Sequence, residues 1–296
     1  MDGQLLLKLY HRLFDSGKCK ADPRPSVGCV YSDALIVLIY FLGVINNCSG
    51  LWASARKNWP LWMRRLKGPS YSQFMKRLKT FPVERLMARL FIEFRDQLPA
   101  SDLRYADGKA LPVGGFTKDP DAKRGKLPGD YWGKGYKAHL LTSDTGVVQL
   151  FTVTSLNMGE STVMQKLVTQ TPLAGMLVRV DSNYDSNALY QAAAEQGGRL
   201  LASRKKPFAG LGNHPQHPDR LRAIKELEAT DQAMRSHRRQ RIRIEQEIGH
   251  LTNLPFGLSP LPNFVRRITR VTRWVLAKLT LYHLHLILRK NNELAA

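Results

Sequence analysis

Met176-Leu177-Val178-Arg179-Val180-Asp181-Ser182-Asn183-Tyr184 is a mostly apolar run that ends on an acid. Such a stretch reads as a strand buried on both faces, the kind that lies inside a helix-covered sheet. Asp181 then stands at the carboxyl end of that strand, where open α/β sheets place their ligands. Working outward, residues 103–113 form a first strand, with Asp107 at its middle and Leu103 and Tyr105 on the acid's own side by two-residue periodicity. Residues 136–142 and 147–154 are a second and third strand, joined by the turn Ser143-Asp144-Thr145-Gly146. The run from Met176 is the fourth, and residues 199–203 are the fifth. Helices are expected over 159–169 and 187–196, the second stopped by Gly197-Gly198.

Three antiparallel strands, a helix, a parallel strand, a helix and a fifth strand make an α/β fold. It is a mixed five-stranded sheet with flanking helices, in the RNase H-like order. The preceding hundred residues read as helical. Residues 5–14 and 33–45 carry helical apolar patterns, the second capped by Ser32 or Asp33. In 84–98, Leu86, Leu90 and Phe94 share one face. Pro99-Ala100-Ser101 breaks the periodicity, so a helical domain over 1–100 is expected ahead of a second domain over 101–296. The latter carries a polar insertion near 205–232 and C-terminal helices, the last a long basic amphipathic helix or two over 263–288.

The 296 residues include 45 Lys+Arg against 24 Asp+Glu, a net charge of +21. An excess of this size draws in polyanions, and phosphate neutralisation is the usual reason to keep it. An apolar content of 43% excludes a disordered basic tail. Cys19, Cys29 and Cys48 form no Cys-x-x-Cys pair, which fits a reducing cytosol and argues against a zinc module. The most apolar run, residues 34–45, is well short of the ~20 needed to span a bilayer, so no membrane partner is expected.

Separated acids in so basic a chain point to phosphodiester chemistry. Two divalent ions about 3.5–4 Å apart need carboxylates from several elements. Either aspartate alone has a plain alternative, Asp107-Gly108 as a turn and Asp181-Ser182-Asn183 as a helix cap. The third acid is Glu245. On a helix, Arg238, Arg241, Glu245 and Thr252 fall on one stripe, beside an apolar stripe of Ile244, Ile248 and Leu251. The plain reading there is a solvated helix with Arg241–Glu245 as an i,i+4 ion pair, worth a few tenths of a kcal/mol. Glu247 is the main rival for the third acid, and Glu160 a weaker one.

Here the pattern resembles a bacterial insertion-sequence transposase of the DDE class. The resemblance covers residues 103–289: Asp107 with a Pro-Val tail, Gly-Tyr-Lys-x-His-Leu at 135–140, and Asn157-Met158-Gly159-Glu160 ahead of a helix. An Asp-x-x-Tyr-Asp-Ser motif follows at 181–186. Of the family's closing Tyr, Arg, Glu and Lys, Arg241 and Glu245 match, while Arg238 and Thr252 stand in place of Tyr and Lys. Gly159-Glu160 stands where the family usually has His-Asp. The resemblance implies that Asp107, Asp181 and Glu245 bind two Mg²⁺ ions, with Mn²⁺ as a substitute. It also implies cleavage at the inverted-repeat ends of an element and transfer of the freed 3′-hydroxyl to target DNA. Pairing two ends implies a homodimer in the active complex, in a bacterial cytoplasm and at the nucleoid when active. The alternatives are an inactive or domesticated DNA-binding relative, motivated by Arg238 and Thr252, and a stand-alone nuclease of the same fold.

Candidate DNA contacts are Arg241 and Arg238 beside the third acid, and Lys109, Lys134 and Lys137 around the first. In the helical half, residues 52–79 interleave Trp52, Trp59, Trp62, Tyr71 and Phe74 with Arg64, Arg65, Lys76 and Arg77. Residues 69–79 read as a recognition helix; the alternative makes the aromatics core and the cations surface. Tyr131 and Trp132 are read as loop residues able to stack on a base. His214 and His217, flanked by prolines, read as loop rather than metal ligands, and no Gly-x-x-x-x-Gly-Lys motif is present, so ATP use is not expected.

Overall fold

The computed structural model describes residues 2–14, 30–99, 101–127, 129, 131–204, 206–253, 257, 258 and 260–295. The side chains of residues 2, 243, 244, 247, 248 and 292–295 lie outside that description, and so do Cys19 and Cys29. Helices α1 (Asp2–Phe14), α2 (Asp33–Ile45), α3 (Gly50–Ser54), α4 (Tyr71–Arg77) and α5 (Phe81–Asp96) come first. Local chemistry sets their starts. Ser32 caps α2, accepting from the Leu35 N–H at 3.3 Å. Ser70 and Gln73 form a capping box on α4. On α5, Leu86, Leu90 and Phe94 are buried as their spacing predicts.

The sheet follows as β1 (Leu103–Pro112), β2 (Lys123–Lys126), β3 (Trp132–Ser143) and β4 (Val148–Ser155), then α6 (Glu160–Val168), β5 (Leu177–Val180), α7 (Asn187–Glu195) and β6 (Arg199–Ala202). β3 pairs antiparallel with β1 along one edge. Its other edge is shared, with Trp132–Gly135 on β2 and Tyr136–Thr142 on β4. β5 joins β1 in parallel, and β6 joins β5. Among the described residues the sheet thus has six strands where five are expected. Lys-Arg-Gly-Lys has no apolar alternation, and β2 forms because its backbone pairs with β3 while Gly125 sits where any side chain would strike the Leu156 carbonyl. Trp132 therefore opens a strand instead of lying in a loop, although its ring is exposed.

After β6 come α8 (Pro218–Glu228), α9 (Asp231–Asn253) and α10 (Ile268–Ala295). The segment read as a long basic amphipathic helix or two is one helix from Ile268 onward, and its apolar face is broader than an amphipathic stripe. Val271, Trp274, Val275, Ala277, Leu279, Leu281 and Tyr282 of α10 are all buried, and so are Lys278 and His283. A stretch buried on every side, as residues 277–284 are, belongs to a core. That core joins α1, α2, α5 and α10 to one face of β3 and β4, so the helical N-terminal region and the C-terminal helix share it. The opposite face of the sheet packs a second core with α6 and α7. Polar contacts lock α10 in place: Asp121 and Asp119 accept the backbone N–H groups of Ile268 and Arg267 at 2.9 and 3.0 Å. His283 accepts the Val148 N–H at 3.1 Å.

Candidate active site

β1 and β5 run in parallel, with Ala106 beside Val180 as their last paired residues. The next residues are Asp107 and Asp181, so the two acids emerge side by side on one face where β5 ends. β1 continues past this point, paired with β3 alone, with Asp107 opposite Leu140. Asp181 turns its carboxylate back to accept the Ser182 N–H at 2.5 Å and starts a short 3₁₀ turn to Tyr184.

The third acid arrives on α9. His237, Arg241 and Glu245 are spaced by four and lie on one stripe of that helix. The Arg241 guanidinium bridges two of the three predicted acids, 3.1 Å from Asp181 Oδ1 and 3.1 Å from Glu245 Oε1. One turn earlier, buried His237 approaches Arg179 Nη1 through Nδ1 at 3.2 Å, which pins the helix to β5. A small cleft is lined by Tyr105, Ala106, Asp107, Arg179, Arg241 and Glu245. The i,i+4 pair expected on a solvated helix is therefore present, and it also reaches the sheet. Glu245 itself is 59% exposed. The side chains of Glu247, Ile244 and Ile248 lie outside the described residues, while Leu251 of the same stripe is buried.

Electrostatics single out Asp107. Burial above all pushes its carboxyl up to about 6, with Glu160 and Glu245 adding to the rise and the Gly108 N–H and Arg241 opposing it. Tyr184 is fully buried, and its hydroxyl has no hydrogen-bond partner among the described residues. Burial, followed by the carboxylates of Glu160, Asp107 and Asp181, holds that phenol far above its ordinary range. Burial and neighbouring Arg179 push His237 down to about 4, so it is neutral and able to accept from the arginine.

Nearly two-thirds of the chain, residues 99–284, matches the family described as "Transposase DDE domain". The chain belongs to the DDE transposase family. It is an enzyme of DNA transposition. The fold agrees: among solved structures it is similar to the piggyBac transposase synaptic complex with hairpin DNA, with a TM-score of 0.50 at 10% identity, over 97% of this chain and 73% of that one. No curated protein matches the sequence.

Enzymes of this family work with divalent metal ions. Carboxylate oxygens are the donors that hard cations take, and the raised Asp107 carboxyl marks an acid that lacks a full counter-charge. In chemistry the residues fit such an ion. Among the described residues no three acids, histidines or cysteines are already gathered closely enough to hold one. Arg241 stands between Asp181 and Glu245 as the resident cation.

The other predicted contacts of the transposase divide by surroundings. Arg238 is exposed on α9, and Lys109 is half-buried on β1. Lys134 donates to the Thr117 carbonyl at 3.1 Å, and Lys137 pairs with Glu160 at 2.5 Å. In the helical region Arg65 and Lys76 are exposed. Arg64 donates to the Trp59 and Lys57 carbonyls at 2.8 Å each, while Arg77 is paired with Asp33. Trp59 and Phe74 are core side chains, whereas Tyr71 is exposed. His217 caps α8 and His214 lies exposed in a loop, as read. Sequence reasoning missed the Arg179–His237 contact, which no local signal announces.

Proposed function

We propose that Asp107, Asp181 and Glu245 are the carboxylates of the transposase that hold divalent metal, Mg²⁺ with Mn²⁺ able to replace it. Their task in this reading is to cut double-stranded DNA at the terminal inverted repeats of a mobile element and to join the freed 3′-hydroxyl to target DNA. The observation that carries the reading is that Asp107 and Asp181 follow the last paired residues of adjacent parallel strands, and that Arg241 of α9 joins Asp181 to Glu245. When bound, the ions activate the attacking hydroxyl and stabilise charge on the leaving oxygen.

The protein's own groups do the rest. Asp107 and Asp181 are fixed by adjacent strands, so their separation is set by the sheet and not by side-chain freedom. Glu245 is carried by a helix whose seat on the sheet is held by Arg179 and His237. Arg241 balances Asp181 and Glu245 and can turn to a DNA phosphate once those carboxylates have another counter-charge. Arg238, one turn away and exposed, extends the same cationic edge. Lys109, Lys134 and Lys137 line the strands beside Asp107 and serve the scissile strand in this reading, while Arg65 and Lys76, with Arg64 and Arg77 behind them, give the helical region its DNA-facing charge.

A net charge of +21 supports DNA as the partner, and the piggyBac transposase of similar fold was solved with DNA. Bringing two ends together calls for a homodimer in the active complex. No helix among the described residues is long and apolar enough to cross a membrane, and we place the enzyme in the cytoplasm, at the nucleoid when active. The test is a strand-cleavage and strand-transfer assay on the inverted repeats flanking the gene, with Mg²⁺ or Mn²⁺. Single substitutions Asp107→Asn, Asp181→Asn and Glu245→Gln are each expected to abolish both steps; full activity in any one removes that acid from the site.

A further inference from the structure

Two large aromatic rings stand in solvent where β2 turns into β3, and a third is tied to them. Trp132 is 71% exposed and Tyr131 59%, while Phe116, in the turn that follows β1, is fully exposed. The hairpin has an inside for apolar groups and uses it: Leu127 is buried against Gly133, where a side chain would block it. The Leu127 N–H donates to the Tyr131 carbonyl at 2.9 Å and closes the connection between the strands. In the β2–β3 register Trp132 stands opposite Lys126 and Lys134 opposite Arg124, so by alternation these four share one face. Lys134 also donates to the Thr117 carbonyl at 3.1 Å, and the Val113 N–H donates to the Lys134 carbonyl at 2.9 Å. Those two bonds fix the turn that bears Phe116 to the same stretch of β3.

The charge presented around the rings has one sign. Lys118, Lys123, Arg124 and Lys126 are exposed. The described acids of the segment are turned inward: Asp119 accepts from the Tyr136 hydroxyl and the Arg267 N–H, and Asp121 from the Ile268 N–H. Lysines on an edge strand are enough to keep it from pairing with another sheet, but that task needs no exposed ring. One such ring needs no account; three fixed to one hairpin do. Rings for bases amid cations for phosphates are the means by which proteins hold unpaired nucleic acid. A duplex hides the faces of its bases, and a second copy of this chain would set like charges against one another. Trp132 shares its face of β3 with Leu140, the residue opposite Asp107, and lies roughly 25 Å from it at about 3.3 Å per residue.

We propose that the β2–β3 hairpin is a stacking platform for an unpaired DNA strand, with Trp132 and Tyr131 against bases and Lys123 and Arg124 at phosphates. The proposal rests on DNA as the substrate and adds to the reading above a second surface and the form of DNA that it takes.

The experiment is fluorescence anisotropy of the full chain with labelled oligothymidylate and, separately, with a duplex of random sequence, both in EDTA, with melting temperature recorded for each variant. Trp132→Ala is expected to weaken oligothymidylate binding roughly five- to 150-fold, the range for one stacked base. Duplex affinity should stay at wild type, and Trp132→Phe should recover most of the loss. Lys123→Gln with Arg124→Gln should lower the salt slope for the single strand by about 1.4, at about 0.7 per phosphate contact. Wild-type oligothymidylate affinity in Trp132→Ala overturns the proposal, and so does an equal loss on both forms of DNA. Self-association by light scattering that Trp132→Ala abolishes, with DNA binding intact, overturns it in favour of a contact between copies. Tighter binding of oligouridylate than of oligothymidylate overturns the assignment to DNA. EDTA keeps the test apart from the acids. Full cleavage by Asp107→Asn would remove an acid and leave the platform standing, and wild-type oligothymidylate binding by Trp132→Ala would do the reverse.

Discussion

Replacing Asp107 with Asn is expected to stabilise the metal-free protein while abolishing strand cleavage. Burial, the largest influence on the Asp107 carboxyl, helps push it from the ordinary 3.8 up to about 6. A carboxyl raised in this way holds its proton more tightly in the folded chain than in the unfolded one. Stability therefore falls as pH rises from about 4 to about 6, and above 6 the whole penalty of the buried charge is present. At about 1.4 kcal/mol per pH unit the ceiling is roughly 3 kcal/mol, and partial solvent access reduces it to on the order of 1–2 kcal/mol. Asn keeps an oxygen for the Gly108 N–H, which Asp107 Oδ1 accepts at 2.7 Å, and removes the charge. At roughly 2–4 °C per kcal/mol for a chain of this size, the variant should melt about 2–8 °C above wild type in EDTA at pH 8. The gap should roughly halve at pH 5, where part of the penalty has already gone. Adding Mn²⁺ should reverse the order, because only wild type gains from the bound ion. Thermal denaturation by circular dichroism reads all of this. A variant that melts at or below wild type at pH 8 without metal would refute the reading of Asp107 as an uncompensated acid.

Further outcomes follow from the same surroundings. Arg241→Gln should lower DNA affinity and the salt slope of binding by about one and raise Mn²⁺ affinity, since it vacates the space between Asp181 and Glu245; calorimetry showing weaker Mn²⁺ binding would count against the resident-cation role. Burial holds His139 and His237 down to about 4 and His283 to about 3. Each is neutral when folded and binds a proton on unfolding, so stability is full above about 6.5 and falls as pH drops toward 4, by on the order of 1–2 kcal/mol per histidine at pH 5; urea midpoints at pH 7.5 and 5 measure it. Trp59→Ala should cost about 3–5 kcal/mol of stability, because that ring is 1% exposed and donates to the Ala53 carbonyl. Arg65→Ala with Lys76→Ala should leave melting within about 0.5 kcal/mol and weaken DNA binding, with a salt slope lower by about two; equal DNA affinity would take the helical region out of the contact.

The parts of the fold that could be read in advance are those whose signal is local. The run ending at Asp181, the alternation around Asp107 and the turn at Ser143–Gly146 each write strand or hairpin over a few residues, and Gly146 takes the positive φ that the turn requires. β2 was not legible because an edge strand of Lys, Arg and Gly buries almost nothing of its own; its partner makes it a strand. The burial of the middle of α10 was not legible for the opposite reason. Its arginines, lysines and histidines suggest a surface face, yet Lys278 is buried against Asn47 at 2.6 Å and His283 serves a backbone N–H. Polar side chains that find partners inside a core look the same in sequence as those that face water.

The acids of the proposed site divide along the same line. Asp107 and Asp181 inherit their positions from strand register, a property of the backbone that two short apolar patterns suffice to predict. Glu245 depends on where α9 sits on the sheet, and that seat is held by Arg179 and His237, 58 residues apart in sequence. Helical spacing could place Glu245 on a stripe with Arg241 but not say what the stripe faces. Among residues proposed to serve one reaction, legibility follows how far the positioning contact lies along the chain, and not how close the residue lies to the chemistry.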